Sequence, residues 1–147
     1  MFFYQVIETL ERNGIPYIIT GGYAVALHGY IRKTFDIDII TDNSIEGFIE
    51  IEHALRDCGL KAEKFGAQSI SKLKDVEDSW YFINPKDETQ RVDVHIKYNA
   101  LTMNSQVKRM HTYQVPIVTF EDLIKMKKAS TDEKDQTDLK FLLEIPK

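Results

Sequence analysis

The sequence predicts a single domain over residues 1–147 with an α/β (α+β) fold, in which helices and strands alternate along the chain. Residues 17–41 read as a strand, a Gly-Gly turn, a short helix and a second strand. Residues 79–98 have the pattern of an antiparallel hairpin, and amphipathic helices precede and follow these strands. Hydrophobic residues make up 43% of the chain, which fits one compact core.

The composition excludes several classes of function. A formal net charge of -4 gives no broad basic surface, so tight non-specific binding to nucleic acid is not expected. The single cysteine, Cys58, excludes an intrachain disulfide and a cysteine-based zinc site. Residues 1–4 are followed by a polar helical pattern and not by a cleavable signal, and the apolar runs are too short to cross a bilayer. We therefore expect a cytoplasmic protein with no membrane partner.

The N-terminal part of the chain predicts two helices around one strand. An amphipathic helix is expected over residues 2–12, because apolar residues recur there at helical spacing. The β-branched and aromatic residues of 15–20 predict a strand. After the turn at Gly21-Gly22, residues 23–27 read as a short buried helix.

The next strand carries two acids. Side chains alternate along a strand, so Asp36 and Asp38 point to one side while Phe35, Ile37 and Ile39 point into a core. Two carboxylates at the edge of an apolar strand need a partner. A divalent cation is the simplest partner for them.

Beyond the acidic strand we expect a helix of three to four turns and then a less regular segment. Asn43 and Glu46 have the spacing of a capping box, and apolar residues recur at helical spacing until Gly59. Residues 61–75 mix short apolar alternations with glycine, serine and lysine. We expect one or two strands joined by a mobile loop in that segment.

A hairpin places a third acid on a strand. Residues 79–84 and 91–98 are both typical of strands, and the polar residues 85–89 between them form the turn. In the second strand one face has Val92, Val94 and Ile96, and the other has Arg91, Asp93 and His95. Asp93 therefore follows the same alternation as the first acidic pair.

The C-terminal part predicts a short helix over 101–110, a strand over 112–118 and two helices within about 119–144. Thr119 is expected to cap the first of these two helices, with Asp122 three residues later.

The three acids and the glycine pair suit metal-dependent transfer of a nucleotidyl group. Such a reaction is stabilised by two cations about 3.5–4 Å apart that contact the attacking and the leaving oxygens. Asp36 and Asp38 could bridge both ions. Asp93 could complete one coordination sphere, and it could act as the base for the incoming hydroxyl or orient the group that does so. Gly21-Gly22 lets a phosphate chain approach the backbone, next to the start of a helix.

The segments "GGYAVALHGYIRKTFDIDII" and "RVDVHI" resemble the DNA polymerase beta-like nucleotidyltransferase superfamily. The approach to the acidic strand, Arg32-x-Thr34-x-Asp36-x-Asp38, is most similar to small antibiotic nucleotidyltransferases and to nucleotidyltransferase toxins of abortive-infection systems. The C-terminal run over 116–139 resembles the toxin-type branch.

The resemblance implies a nucleotidyltransferase fold, a mixed β-sheet flanked by helices, with a nucleoside triphosphate such as ATP as donor and Mg²⁺, two ions, as cofactor. It implies metal ligands at Asp36, Asp38 and Asp93, a phosphate turn at Gly21 and Gly22, and a triphosphate contact at Lys127. Two features depart from the family pattern. Gly22 stands where many members have a serine, and the usual arginine before Lys134-Asp135 is absent.

Several alternatives stay open at this point. The hydroxyl acceptor is a tRNA, a protein or a small molecule, and a homodimer could supply a missing wall of the pocket. The rival function is a non-catalytic module that binds a nucleotide or a partner with the same fold, as part of a toxin-antitoxin system.

Single residues also have two readings. His95 either reaches the site or is a hydrogen-bonded structural histidine. Lys127 is either a triphosphate contact or a solvated helix charge. Arg32 and Lys33 are either exposed charges or contacts to phosphate or acceptor.

Overall fold

The computed structural model describes residues 1–31, 34, 36–73 and 77–145 of the chain. Over these residues the chain forms one seven-stranded sheet with helices packed against it. The helices are α1 (Phe2–Arg12), α2 (Gly21–Leu27), α3 (Ile45–Asp57), α4 (Ala67–Leu73), α5 (Phe120–Ala129) and α6 (Glu133–Leu143). The strands are β1 (Tyr17–Thr20), β2 (Ile37–Thr41), β3 (Lys61–Ala62), β4 (Ser79–Asn84), β5 (Asp87–His95), β6 (Ser105–Met110) and β7 (Tyr113–Val118).

The sheet is mixed. Its strand order is β3-β4-β5-β2-β1-β7-β6. β1 pairs antiparallel with β2 and parallel with β7, and β2 pairs parallel with β5. The hairpins β4–β5 and β6–β7 are antiparallel. The predicted α/β fold, a mixed sheet flanked by helices, is confirmed.

Two hydrophobic clusters cover opposite faces of the central strands. Ile19 of β1 and Ile39 of β2 belong to the cluster that packs with α1, α3 and α4. Their neighbours Ile18 and Ile40 belong to the cluster that packs with α2, α5 and α6. This division follows from the alternation of side chains along a strand. No described residue of β4 or β5 belongs to the second cluster, and polar side chains of these two strands border a cleft.

Two predicted caps have different outcomes. Thr119 caps α5 as predicted, since its side chain accepts a hydrogen bond from the backbone N–H of Asp122 at 3.1 Å. The cap of α3 is Ser44, whose Oγ accepts from the N–H of Gly47 at 3.0 Å. The prediction of Asn43 as cap was therefore wrong by one residue. Nδ2 of Asn43 instead donates to the carbonyl of Ile96 at 2.7 Å and ties the end of β2 to the end of β5.

Two segments differ from the prediction. The helix expected over 101–110 is wrong, because residues 105–110 form β6 and pair with β7 along six residue positions. In the segment 61–75, β3 has only two residues and α4 follows it. Ala67 and Ile70 of α4 are buried at helical spacing, which explains the helix.

Three predicted positions, Arg32, Lys33 and Phe35, lie outside the described residues. Among the helices that the structure describes, none has the length and apolar character needed to cross a membrane.

Candidate active site

Two acidic strands lie side by side at the centre of the sheet. β2 and β5 are parallel neighbours, and Asp38 is the cross-strand partner of Asp93. Asp36 lies two residues before Asp38 and borders the same cleft. The side chains that point to the other face of these strands are completely buried: Ile37, Ile39, Val92 and Val94. The alternation of both strands thus directs apolar groups to the core and carboxylates to the cleft.

The carboxylate of Asp38 lies between a histidine and a glycine. Nε2 of His95 donates to Oδ1 of Asp38 at 2.9 Å. Because a carboxylate can only accept, this nitrogen carries the proton. On the other side, a Cβ added to Gly21 would overlap Oδ2 of Asp38, and Gly21 has a φ of 65°. Glycine is therefore required at position 21 both for its left-handed backbone and for the close approach of Asp38.

Asp93 has a basic partner on its own strand. Nε of Arg91 donates to Oδ1 of Asp93 at 2.8 Å, and the guanidinium lies 4.3 Å from the centre of the Tyr81 ring. Burial raises the pKa of Asp93 to about 6; the hydrogen bond from Arg91 opposes this, while the charges of Asp38 and Asp36 add to it. Asp93 is therefore a carboxyl group whose protonation changes closer to neutral pH than that of an ordinary aspartate.

Lys127 is a buried lysine that joins two helices. Its side chain is 8% exposed, and Nζ donates to Oδ1 of Asp135 at 2.6 Å. The same nitrogen lies 3.1 Å from Oδ2 of Asp138, a residue that is 1% exposed. Oγ of Ser130 donates to the other oxygen of Asp135 at 2.7 Å. The reading of Lys127 as a solvated helix charge is therefore wrong.

One cleft of about 770 Å³ brings these groups together. It is lined by all six residues predicted for the site: Asp36, Asp38, Asp93, Gly21, Gly22 and Lys127. It is also lined by Thr20, Ser79 and Tyr81, which the sequence did not single out. Thr20 is the cross-strand partner of Asp38, and Tyr81 that of Asp93. The register of the strands would have identified both positions.

The carboxylates suit a hard divalent cation in their chemistry, because such ions prefer oxygen ligands. Within the described ranges, no group of three or more His, Cys, Asp or Glu side chains is arranged to hold a metal ion. Oδ1 of Asp38 instead accepts from His95, and Oδ1 of Asp93 accepts from Arg91. In this arrangement two bases of β5 hold the carboxylates that could coordinate a cation.

Comparison with protein families decides the assignment. The family model described as aminoglycoside-2''-adenylyltransferase matches residues 3–140, which include both acidic strands, the glycine pair and Lys127. The chain belongs to this adenylyltransferase family. It is accordingly a nucleotidyltransferase. A comparison with curated proteins found no match.

Solved structures share the fold of this adenylyltransferase family member at low sequence identity. The lincosamide antibiotic adenylyltransferase LnuA, bound to lincomycin, is 19% identical over 99% of this chain and 96% of its own, with a TM-score of 0.70. ANT(2'')-Ia in complex with adenylyl-2''-tobramycin is 13% identical over 95% of this chain and 84% of its own, with a TM-score of 0.64. An antigenic nucleotidyltransferase-like protein from Paracoccidioides brasiliensis is 15% identical over 97% of this chain and 73% of its own, with a TM-score of 0.58.

Proposed function

We propose that this chain is a Mg²⁺-dependent enzyme that moves a nucleoside monophosphate from a nucleoside triphosphate to a hydroxyl group of a small molecule. One observation carries the proposal: Asp38 and Asp93 are cross-strand partners on neighbouring strands and border one cleft together with Asp36. The family membership fixes the class of reaction, and the acidic strands supply the residues for it. We also propose that the enzyme acts in the cytoplasm, where nucleoside triphosphates are abundant.

In the proposed reaction the acceptor supplies the attacking hydroxyl, and the aspartates accept its proton and hold the metal ions. The oxygen of the acceptor hydroxyl attacks the α-phosphorus, the bond from this phosphorus to the bridging oxygen breaks, and pyrophosphate leaves. Asp93 takes the proton of the hydroxyl or orients the group that does so. Asp36, Asp38 and Asp93 would hold two Mg²⁺ ions, which supply charge stabilisation for the attacking and the leaving oxygens.

The donor side of the cleft is proposed to lie between α5 and the two glycines that begin α2. Gly21 and Gly22 begin α2 and border the cleft without side chains, so a phosphate chain can approach their backbone from the cleft. Lys127 borders the same cleft. Its ammonium has three donors, of which the described residues Asp135 and Asp138 take two, and the third is proposed to contact a phosphate oxygen.

The acceptor is proposed to be a small hydroxylated molecule that carries positive charge. Aspartates outnumber basic side chains in the lining of the cleft, and Asp78 and Asp132 add to the acids already named. Such a lining attracts amino groups and disfavours the phosphate backbone of a nucleic acid. The complexes of two relatives with lincomycin and with adenylyl-2''-tobramycin support this choice over a tRNA or a protein. A homodimer would add a wall to the cleft, and light scattering at increasing protein concentration would detect it.

The deciding experiment follows the α-phosphate. The purified protein is incubated with Mg²⁺, each of the four nucleoside triphosphates labelled at the α-phosphorus, and either lincomycin, tobramycin, total tRNA or a cell extract. We expect label in the small-molecule fraction, released pyrophosphate, and neither with EDTA or with Asp38→Asn. Label in tRNA or protein would identify a different acceptor class. No label under any condition would contradict the proposed transfer.

A further inference from the structure

His95 is the one basic side chain seen in direct contact with Asp38 among the described residues. Its ring lies on the cleft face of β5, two residues beyond Asp93, and its side chain is 27% exposed. The contact joins neighbouring strands, because Asp38 belongs to β2 and its own cross-strand partner is Asp93. His95 therefore reaches diagonally across the sheet to the second acid of the Asp36-x-Asp38 pair.

The two neighbours of the Asp38 carboxylate leave little freedom for its rotation. Oδ2 lies where a side chain at position 21 would be, so it abuts the backbone of Gly21. Oδ1 accepts the hydrogen bond from Nε2 of His95. A carboxylate rotates about one terminal torsion with a broad minimum, so a hydrogen bond at one oxygen decides where the other oxygen points.

We propose that His95 is a positioning residue, which fixes the orientation of the Asp38 carboxylate so that its second oxygen can bind a divalent cation beside Gly21. This inference rests on the proposed function, because it assigns His95 a role toward the cation that Asp38 would hold. His95 itself makes no contact with substrate in this role. The hydrogen bonds made by a ligating carboxylate commonly set both its orientation and its affinity for the ion.

The contact of Arg91 with Asp93 differs in kind from the contact of His95 with Asp38. Arg91 contacts Asp93 within one strand, packs over the Tyr81 ring and lies 4.0 Å from Glu63, so several partners share its charge. Arg91 brings a permanent positive charge to Asp93, which competes with a cation for that carboxylate. His95 can hold Asp38 as a neutral donor, which leaves the negative charge of Asp38 for the ion.

The test measures Mn²⁺ binding without nucleotide or acceptor. Free Mn²⁺ is titrated with protein and followed by its electron paramagnetic resonance signal, and the spectrum of bound Mn²⁺ is recorded. His95→Leu removes the donor and is expected to weaken binding by about 10- to 100-fold. His95→Gln keeps an N–H donor of similar reach and is expected to restore most of the affinity. His53→Leu, an exposed histidine on α3, is the matched control and should bind like the unmodified protein.

The outcomes distinguish the inference from the function on which it rests. His95→Leu that binds Mn²⁺ as well as the unmodified protein, while Asp38→Asn binds poorly, would overturn the role of His95 and leave the metal site intact. Binding that is unchanged in Asp38→Asn as well would overturn both. Thermal melting by circular dichroism checks the fold of each variant. If His95→Leu does not fold, His95→Asn takes its place. The amide of this asparagine is one carbon too short to reach Asp38. Equal Mn²⁺ binding by His95→Asn and His95→Gln would then contradict the inference.

Discussion

Gly21 shows how a single missing side chain shapes the site. Its φ of 65° lies in the left-handed region, and the space that a Cβ would occupy is filled by the carboxylate of Asp38. Two separate costs therefore oppose any substitution there: backbone strain and the displacement of Asp38. Gly14 has a φ of 63° but no atom within 4 Å of an added Cβ, so it isolates the first cost.

We predict that Gly21→Ala harms both stability and binding, whereas Gly14→Ala harms stability alone. A left-handed backbone costs an L-residue about 1–2 kcal/mol, and this is the whole loss expected for Gly14→Ala. Gly21→Ala should lose more than this, and its affinity for Mn²⁺ should fall because Asp38 has to move. Urea denaturation gives the free energies of unfolding, and calorimetry gives the affinities. Equal losses of stability, with unchanged affinity in Gly21→Ala, would show that Asp38 accommodates the methyl group.

The sequence could predict the acids but not their partners. Asp38 and Asp93 follow from local alternation, since each lies between two apolar residues that are buried in the core, and Asp36 comes two residues before Asp38 in the same alternation. The contact of His95 with Asp38 joins residues 57 positions apart, so it depends on the pairing of β2 with β5. That pairing is a property of the sheet. Without it, the sequence favoured a structural role for His95 over a role in the site.

The corner between α5 and α6 is held by an ion cluster around the buried Lys127. Lys127 leaves α5, and Asp135 and Asp138 leave successive turns of α6, so one ammonium connects the two helices. Nε2 of Gln136 also donates to the carbonyl of Ser130 at 2.5 Å in the connecting segment. The segment that borders the cleft is thus fixed by charge as well as by packing.

We predict that Lys127→Met destabilises the protein by about 3–5 kcal/mol, because it removes the ammonium from the buried carboxylate of Asp138 and the partly buried carboxylate of Asp135. Lys128→Met changes an exposed neighbour on the same helix and should stay within about 0.5 kcal/mol. Urea denaturation of both variants measures the difference. A Lys127→Met protein as stable as the Lys128→Met control would mean that the cluster does not hold the corner.

The same cluster predicts how stability depends on pH. Burial acts to raise the pKa of Asp135, but the hydrogen bonds from Lys127 and Ser130 outweigh it, and the pKa is lowered. Below the ordinary value of about 3.9 the unfolded chain binds this proton before the folded chain does, so stability is lost as the pH falls through the depressed pKa. Asp135→Asn should therefore lose less stability on acidification than the unmodified protein. Asp57→Asn, at an exposed position on α3, is the control and should keep the full pH dependence in urea melts at several pH values.

Secondary structure was predicted best where local patterns decide it. α1 is found over the residues predicted, 2–12, because its apolar face is visible in the spacing. Residues 101–110 were predicted as a helix, yet 105–110 form the edge strand β6, because hydrogen bonds to β7 outweigh a weak local preference. In an edge strand few side chains are buried, so the sequence contains little alternation from which to recognise it.

The sheet as a whole connects the two hydrophobic clusters. β1 contributes Ile19 to one and Ile18 to the other, and each of its four residues is buried. Both clusters pack on the same hydrogen-bonded backbone of β1, so a loss of packing on one face of the strand should weaken the packing on the other face. The prediction of a single domain over residues 1–147 thus amounts to a prediction that both clusters unfold together.

We predict that a cavity in the second cluster destabilises the first by the same amount. Leu142→Ala removes a completely buried side chain from the α6 side and should cost about 2–5 kcal/mol. Trp80, the single tryptophan, lies in the first cluster and reports its unfolding by fluorescence. In urea, the Trp80 transition of Leu142→Ala should shift together with the transition followed by far-ultraviolet circular dichroism. Leu143→Ala, at a residue that is 59% exposed, is the matched control and should shift neither transition by more than about 0.5 kcal/mol. A Trp80 transition that does not move while the circular dichroism signal splits into two steps would mean that the two faces of the sheet unfold independently.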